Sequence, residues 1–265
     1  MEQSGGVAGP SPMLAMVAGA VAEGLHRLSE VAGGGSVDDV GGAFCWYSDS
    51  RAPVYNGAAM FYPHLYNRGT VSAVHDFFSE RGRPYTLVTL DGLVPSGPQR
   101  LLALGYEEFD YSPAMWLQGP PQRWQEGPQG QLRIARVGTA QDLEVFRAIL
   151  SRVFSISAYE VNMVLSDRVL ELPHVRHYVA FLGSTPVGTA SLVISGPMAG
   201  VWNVGTLPEY RRRGVAAELM HHLVGEALAF GYTSSMLLAT FSGLPLYERL
   251  GYRTVSTVRM FERRT

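Results

Sequence analysis

The segment Leu207-Pro208-Glu209-Tyr210-Arg211-Arg212-Arg213-Gly214-Val215-Ala216-Ala217 sets three guanidinium groups and a run of small residues between an apolar stretch and a helix-forming one. Small residues let the backbone N–H groups of a first helical turn approach an anion, and the helix macrodipole favours negative charge at that end. Arginines add charge-assisted hydrogen bonds to phosphate oxygens. The chemistry this spacing points to is the holding of a pyrophosphate. The plainer alternative is a solvated helix start, which does not call for three consecutive arginines.

Such a loop works only if a strand delivers it and a helix receives it, and apolar periodicity predicts both: a strand over 201–206 and a helix over 213–230 closed by Gly231. A strand over 235–240, a short helix over 244–250 capped by Gly251 and a last strand over 252–261 follow. Before the loop the pattern predicts a strand at 132–137, helices at 139–154 and 158–170, and strands at 176–182 and 187–195. Thr139 with Asp142 three residues on has the spacing of a capping box. The first half reads as a helix over 12–31, strands at 43–47 and 54–62, a helix over 70–81, a strand at 85–90, a helix over 98–104 and a strand at 111–117. Residues 119–130, with Pro120, Pro121, Pro128 and three glycines, are the linker of this scheme, between a domain at 13–118 and one at 131–265; residues 1–12 form a frayed tail.

The halves echo each other. Leu104-Gly105-Tyr106 answers Leu250-Gly251-Tyr252, and Arg68-Gly69 stands near the place of the arginine loop, without a second arginine and without a small residue two positions after the glycine. We read a duplication whose first copy has lost its phosphate loop.

At 265 residues and 46% hydrophobic content the chain can bury one large core or two small ones. A net charge of −2 gives nucleic acid or an anionic membrane no general attraction, so neither is expected as a partner. Every basic residue is arginine, which excludes Schiff-base and lysine-base chemistry from this chain and fits the codon bias of a GC-rich genome. Cys45 stands alone, so no intrachain disulfide, CxxC pair or cysteine zinc cluster can form; between Phe44 and Trp46 it reads as a buried small hydrophobe. The apolar run at 13–22 lacks a preceding arginine and reads as a helix of a cytoplasmic protein, and no segment reaches the ~20 apolar residues of a membrane span.

Arg211-x-x-Gly214-x-Ala216, preceded by an apolar strand ending in Leu207-Pro208 and followed about thirty residues on by Leu246-Tyr247-Glu248-Arg249-Leu250-Gly251-Tyr252, resembles the signature of the GNAT superfamily of acyl-CoA-dependent N-acetyltransferases. The resemblance covers residues 132–262 well and 42–118 faintly. It implies an α/β (α+β) architecture of two GNAT-like domains, each a mixed, mostly antiparallel sheet flanked by helices, with splayed parallel strands at the CoA site of the second. It further implies that backbone groups of Val204, Gly205 and Thr206 pair with the pantetheine arm. Amides from Arg211, Arg212 and Arg213 through Gly214, Val215, Ala216 and Ala217 would cradle the pyrophosphate, and Tyr247 would protonate the departing thiolate. Tyr247 could equally be a core tyrosine whose hydroxyl is satisfied in the protein. Thr240 occupies the position where many relatives have a CoA-contacting asparagine.

Two positions at which relatives carry a glutamate base hold Gly200 and Ser235 here, so a base must come from elsewhere, from a water chain, or not be needed. Glu160, His177, Asn203 and Glu248 are polar candidates for that task, and Asn203 also for the acceptor. Asn56, a lone polar residue opening an apolar strand among Trp46, Tyr47, Tyr55, Phe61, Tyr62 and Tyr66, is a candidate for facing the acceptor pocket. His174-x-x-His177 lacks a third ligand, and His221-His222 point about 100° apart on a helix, so no metal is expected. G-x-S-x-G, P-loop lysine, H-E-x-x-H and G-x-G-x-x-G motifs are missing. The expected function is transfer of an acetyl group from acetyl-CoA to a small-molecule amine, with homodimer formation left open. The competing expectations are a non-catalytic acyl-CoA sensor, and an acyltransferase using another donor or a hydroxylamine acceptor.

Overall fold

Local signals start the elements where the periodicity places them. In the computed structural model, which describes residues 11–30, 32, 34–122 and 132–263, helix α1 (Pro12–Ser29) begins with Pro12 at its first position and with the Ser11 hydroxyl accepting the Leu14 N–H at 3.3 Å. Helix α4 (Ala140–Phe154) opens on a complete capping box formed by Thr139 and Asp142. The remaining helices are α2 (Arg68–Glu80), α3 (Gly97–Ala103), α5 (Ala158–Val164), α6 (Val215–Ala229) and α7 (Leu244–Arg249). The strands are β1 (Ser36–Val40), β2 (Ala43–Tyr47), β3 (Gly57–Ala59), β4 (Thr86–Leu90), β5 (Tyr106–Gln118), β6 (Leu132–Arg136), β7 (Val175–Leu182), β8 (Thr185–Val193), β9 (Ala199–Thr206), β10 (Ser234–Leu238) and β11 (Arg253–Arg263).

The strands form one sheet, in the order β1-β2-β3-β4-β11-β5-β10-β9-β8-β7-β6. This corrects the expectation of a separate sheet in each half. Each half ends in a strand that lies beyond the terminal strand of the other: β11 separates β4 from β5, and β5 separates β10 from β11. Among the described residues only β3/β4 and β9/β10 pair in parallel. Because β5 is antiparallel to both β10 and β11, the crossover through α7 makes β11 run the same way as β10. The antiparallel neighbour that β10 needs therefore comes from the first half.

Side chains alternate across the sheet and divide the core by face. Met115, Leu117, Tyr178, Leu192 and Leu237 pack under α6, and Cys45, Met60, Leu87 and Phe261 under α2 and α3. On the opposite face Trp46, Val88, Ala114 and Met236 pack against Val17 and Val21 of α1, and Val175, Val179 and Val193 lie under α4 and α5. Trp202 touches both clusters of that second face. Cys45 is fully buried, and desolvation pushes its thiol up to about 12, consistent with a packing role.

Two expectations of local structure need correction. Pro53 starts a 3-10 turn (Pro53–Tyr55), so only residues 57–59 of the predicted strand at 54–62 pair with neighbours. The helix predicted over 158–170 is α5 followed by a 3-10 segment, Asp167–Glu171. The linker proposed for 119–130 lies outside the described residues from 123 onward; within the described part, Gln122 donates its N–H to the Leu250 carbonyl at 2.9 Å.

Candidate functional site

The parallel pair β9/β10 holds together for three residue pairs, Ala199–Ser235, Gly200–Met236 and Val201–Leu237, and then opens. From residue 202 onward β9 keeps β8 on one side, while Leu238 continues to pair with Ala114 and the Ala239 N–H donates to the Pro113 carbonyl. The β9 edge that faced β10 is thus left unpaired over Val204, Gly205 and Thr206, and unpaired backbone in the interior calls for a partner. The Thr206 hydroxyl, also at this edge, is buried without a protein partner. Gly205 has to be glycine because Val153 of α4 lies over it: a Cβ would meet Val153 Cγ1 at 2.6 Å.

A bulge deforms β9 at the same point. Thr189 pairs with Gly205 and Ser191 with Trp202, so Asn203 and Val204 together oppose Ala190. Asn203 sits at φ 54°, a left-handed conformation that costs a residue with a Cβ roughly 1–2 kcal/mol and that asparagine tolerates better than most.

Beyond the splay the chain turns through a short 3-10 segment (Pro208–Tyr210) into the arginine loop. Arg212 takes φ 61° and Gly214 φ 78°, and Gly214 is the N-cap of α6 with no side-chain cap. The N–H groups of the first turn, Val215, Ala216 and Ala217, are therefore not engaged by a capping side chain. Left-handed residues directly before an uncapped helix start turn successive N–H groups towards one side, an arrangement suited to an anion. The Arg211 Nε donates to the Thr206 carbonyl at 3.2 Å, which ties the loop to the strand end.

These parts line a single cleft of about 370 Å³ with Val153, Phe154, Tyr210, Thr240 and Tyr247. Of the residues expected there, Val204, Gly205, Thr206, Arg211, Arg212, Gly214, Val215, Ala216, Ala217, Thr240 and Tyr247 come together. Arg213 does not join them; its guanidinium lies 5.3 Å from the centre of the Tyr210 ring. Thr240 accepts the Gly243 N–H at 3.2 Å and so helps to start α7, the helix that presents Tyr247. Tyr247 is 7% exposed and packs edge-on to Tyr252; desolvation pushes its hydroxyl up to about 12, so it stays protonated through neutral pH.

The other polar candidates sort differently. Asn56 is fully buried: its carbonyl oxygen accepts the Ser48 N–H at 2.7 Å and its amide donates to the Ser50 carbonyl at 2.9 Å. It opens β3 as expected, but its side chain locks the preceding turn and is not free to face an acceptor. Glu160 accepts from the Ser50 hydroxyl and joins α5 to that turn. His177 is buried, and desolvation lowers it to about 4, so it is neutral and no base for an ammonium group at pH 7. Its Nδ1 meets the Ser191 hydroxyl at 2.6 Å, and the Asn203 amide donates to the same hydroxyl at 3.0 Å. Ser191 carries no sequence signal, because its partners are set by strand register. Among the described residues no group of three or more metal-ligating side chains is found, and no helix is long and apolar enough to cross a membrane.

The corresponding place in the first half is closed. Where β3 and β4 part, the Tyr66 hydroxyl donates to the Met60 carbonyl at 2.6 Å. At the start of α2 the Asn67 side chain accepts the Thr70 N–H at 3.0 Å, filling the position an anion would take.

Comparison with known proteins agrees with this geometry. Residues 143–252 match the model of the acetyltransferase (GNAT) family. The structure superposes on a GCN5-related N-acetyltransferase from Kribbella flavida with a TM-score of 0.70 at 19% identity, covering 92% of this chain and 95% of that one. A GCN5-related N-acetyltransferase from Sphaerobacter thermophilus gives a TM-score of 0.60 at 17% identity over 83% of this chain and 76% of that one. In sequence, a Bacillus subtilis (strain 168) protein named by inference as an acetyltransferase is 26% identical over 135 residues, 49% of this chain and 90% of its own length. Residues 143–252 are a domain of the acetyltransferase (GNAT) family, and the chain as a whole has the fold of GCN5-related N-acetyltransferases.

Proposed function

We propose that the protein transfers an acetyl group from acetyl-CoA to the amine of a small molecule by direct attack on the thioester. The observation that carries this reading is the convergence, in one cleft, of an unpaired strand edge, an uncapped helix N-terminus beside Arg211 and Arg212, and a protonated tyrosine. The strand edge at Val204–Thr206 suits the amide groups of a pantetheine arm, and the Thr206 hydroxyl lacks a protein partner there. The helix N-terminus and its arginines suit a pyrophosphate.

In the reaction the amine nitrogen forms a bond to the carbonyl carbon, and backbone N–H groups at the β9 bulge stabilise the resulting oxyanion. Collapse of the intermediate breaks the C–S bond, and Tyr247 gives its proton to the departing thiolate. The nitrogen of the attacking neutral amine becomes cationic on bond formation, and its surplus proton returns, directly or through water, to the Tyr247 phenolate, which leaves a neutral amide, the CoA thiol and an unchanged protein.

Tyr247→Phe separates the catalytic role from a packing role. A general acid contributes about 10²–10⁴-fold, so kcat measured by thiol release is expected to fall within that range while the Kd for acetyl-CoA, measured by calorimetry, changes less than about twofold. An unchanged kcat would remove Tyr247 from the mechanism. If the unsubstituted protein binds acetyl-CoA but releases no thiol across a broad amine panel, the donor or the acceptor class is wrong.

The first half is, in this reading, a degenerate copy that supplies structure and no second donor site, since Tyr66 and Asn67 close the corresponding positions. Calorimetric titration is therefore expected to give one acetyl-CoA per chain, and a stoichiometry of two would overturn the assignment.

A further inference from the structure

Asn203 holds its left-handed conformation inside a strand, where extended backbone is the default, so something must select it. Three buried side chains do so. The Thr189 hydroxyl donates to the Asn203 carbonyl at 3.1 Å. The Ser191 hydroxyl accepts from the Asn203 amide nitrogen at 3.0 Å and is hydrogen-bonded to His177 Nδ1 at 2.6 Å. Thr189 and Ser191 are fully buried and His177 is 3% exposed.

An amide nitrogen only donates, so Ser191 accepts from Asn203. His177 Nδ1 meets the same hydroxyl, and the two groups bond whichever ring nitrogen carries the proton. Desolvation, the cause of its lowered pKa, keeps the ring neutral. The imidazole is thus suited to holding the Ser191 hydroxyl in place and unsuited to moving a proton.

We propose that Ser191, oriented by His177 and assisted by Thr189, is a positioning residue for acyl transfer: it holds Asn203 in the left-handed conformation that aims the unpaired β9 backbone at the thioester carbonyl. The inference rests on the acyl-transfer site proposed above and adds to it a set of residues outside the cleft lining. Ser191 touches neither substrate nor reacting atoms. Its effect passes through the backbone of Asn203 and Val204, the two residues that oppose Ala190 in the bulge. A polar device is needed here because Asn203 has a Cβ, whereas a glycine would take the same angles unaided.

That difference supplies the test. Ser191→Ala is expected to lower kcat about tenfold, with a smaller loss in the affinity for acetyl-CoA, since the pyrophosphate loop is untouched. Asn203→Gly, which takes the left-handed angles without a lock, is the reference against which the double variant is read. The double variant Ser191→Ala/Asn203→Gly is expected to be no slower than Asn203→Gly alone, because a glycine needs no lock. Multiplying losses in the double variant, or an unchanged kcat in Ser191→Ala, would overturn the proposal.

A readout without turnover keeps the test independent of the acceptor. The HN–Hα coupling and carbon shifts of residue 203 report its backbone conformation directly, and they are expected to move from left-handed towards extended values in Ser191→Ala. Unmoved values would refute the lock even if no amine is ever acetylated. Thr189→Val removes a hydroxyl with little change of shape and is expected to shift the same signals by a smaller amount, which provides a second variant should Ser191→Ala fold poorly. Absence of acetyl-CoA binding in the unsubstituted protein would instead refute the donor site, and the resonances of residue 203 would still decide the lock.

Discussion

Protein lacking residues 1–118 is expected to yield no folded acetyltransferase domain, although it keeps all of the 143–252 segment that matches the family. The reason lies in strand order. β10 has its antiparallel partner in β5, with five residue pairs from Ser234–Gln118 to Leu238–Ala114, and β11 has only β4 and β5 as neighbours. Removing the first half therefore opens one side of β10 and leaves β11 with no partner. The core loses Met115 and Leu117 from beneath α6, and Trp202 and Met236 lose the cover of α1. Deleting one buried Leu or Met side chain costs about 2–5 kcal/mol, against a total stability of about 5–15 kcal/mol for a whole domain. The shortened protein is expected to be insoluble or to show no cooperative thermal transition, and to recover acetyl-CoA binding only when residues 11–118 are supplied as a second chain. A soluble fragment with a sharp transition and unaided acetyl-CoA binding would show that the interleaved strands are not needed for folding.

This dependence could not be read from the sequence, and particular residues show why. Periodicity, caps and breakers are local, so α1 and α6 were legible from their apolar periodicity, the end of α6 from Gly231, and the start of α4 from Thr139 with Asp142. The arginine loop and Tyr247 were legible for the same reason: each is a short motif whose geometry follows from the turn that holds it. Strand order is not local. Leu104-Gly105-Tyr106 and Leu250-Gly251-Tyr252 advertise a repeat, yet nothing in either says that β5 and β11 pass each other to reach the other half. β1 escaped notice because Ser36-Val37-Asp38-Asp39-Val40 is an edge strand paired only to β2, with Asp38 and Asp39 exposed and little apolar alternation to mark it. Asn56 misled because a polar residue beside an apolar run looks the same whether it faces a ligand or caps a turn. Arg213 was grouped with its neighbours, but the left-handed turn at Arg212 redirects the chain and sends Arg213 over Tyr210. Thr189 and Ser191 gave no signal at all, since their value comes from lying opposite the bulge.

The arginine loop yields the second large effect, in Gly214→Val. At φ 78° Gly214 occupies a region that a β-branched residue avoids, and as the N-cap of α6 it sets the direction of the N–H groups that follow. Valine there has to relax towards negative φ, which swings the loop backbone and withdraws at least two donors from a pyrophosphate. Hydrogen bonds to charged groups are worth about 1.5–3 kcal/mol each, so losing two weakens acetyl-CoA binding by about 3–6 kcal/mol, or about 10²–10⁴-fold. The fold is expected to survive, because α6 is anchored along its length by Val215, Leu219, Met220 and Leu223 in the core. Arg212→Gly is the matching control. It accepts the left-handed angle without strain, keeps the array of N–H groups and removes one guanidinium, so its loss is expected to be about tenfold, the value of roughly one charge-assisted bond. Calorimetry with acetyl-CoA, run beside thermal melts of both variants, decides between backbone and side chain as the chief anion ligand. Nearly normal binding in Gly214→Val with a large loss in Arg212→Gly would assign the pyrophosphate to the arginines, and the helix N-terminus would then serve only to place them.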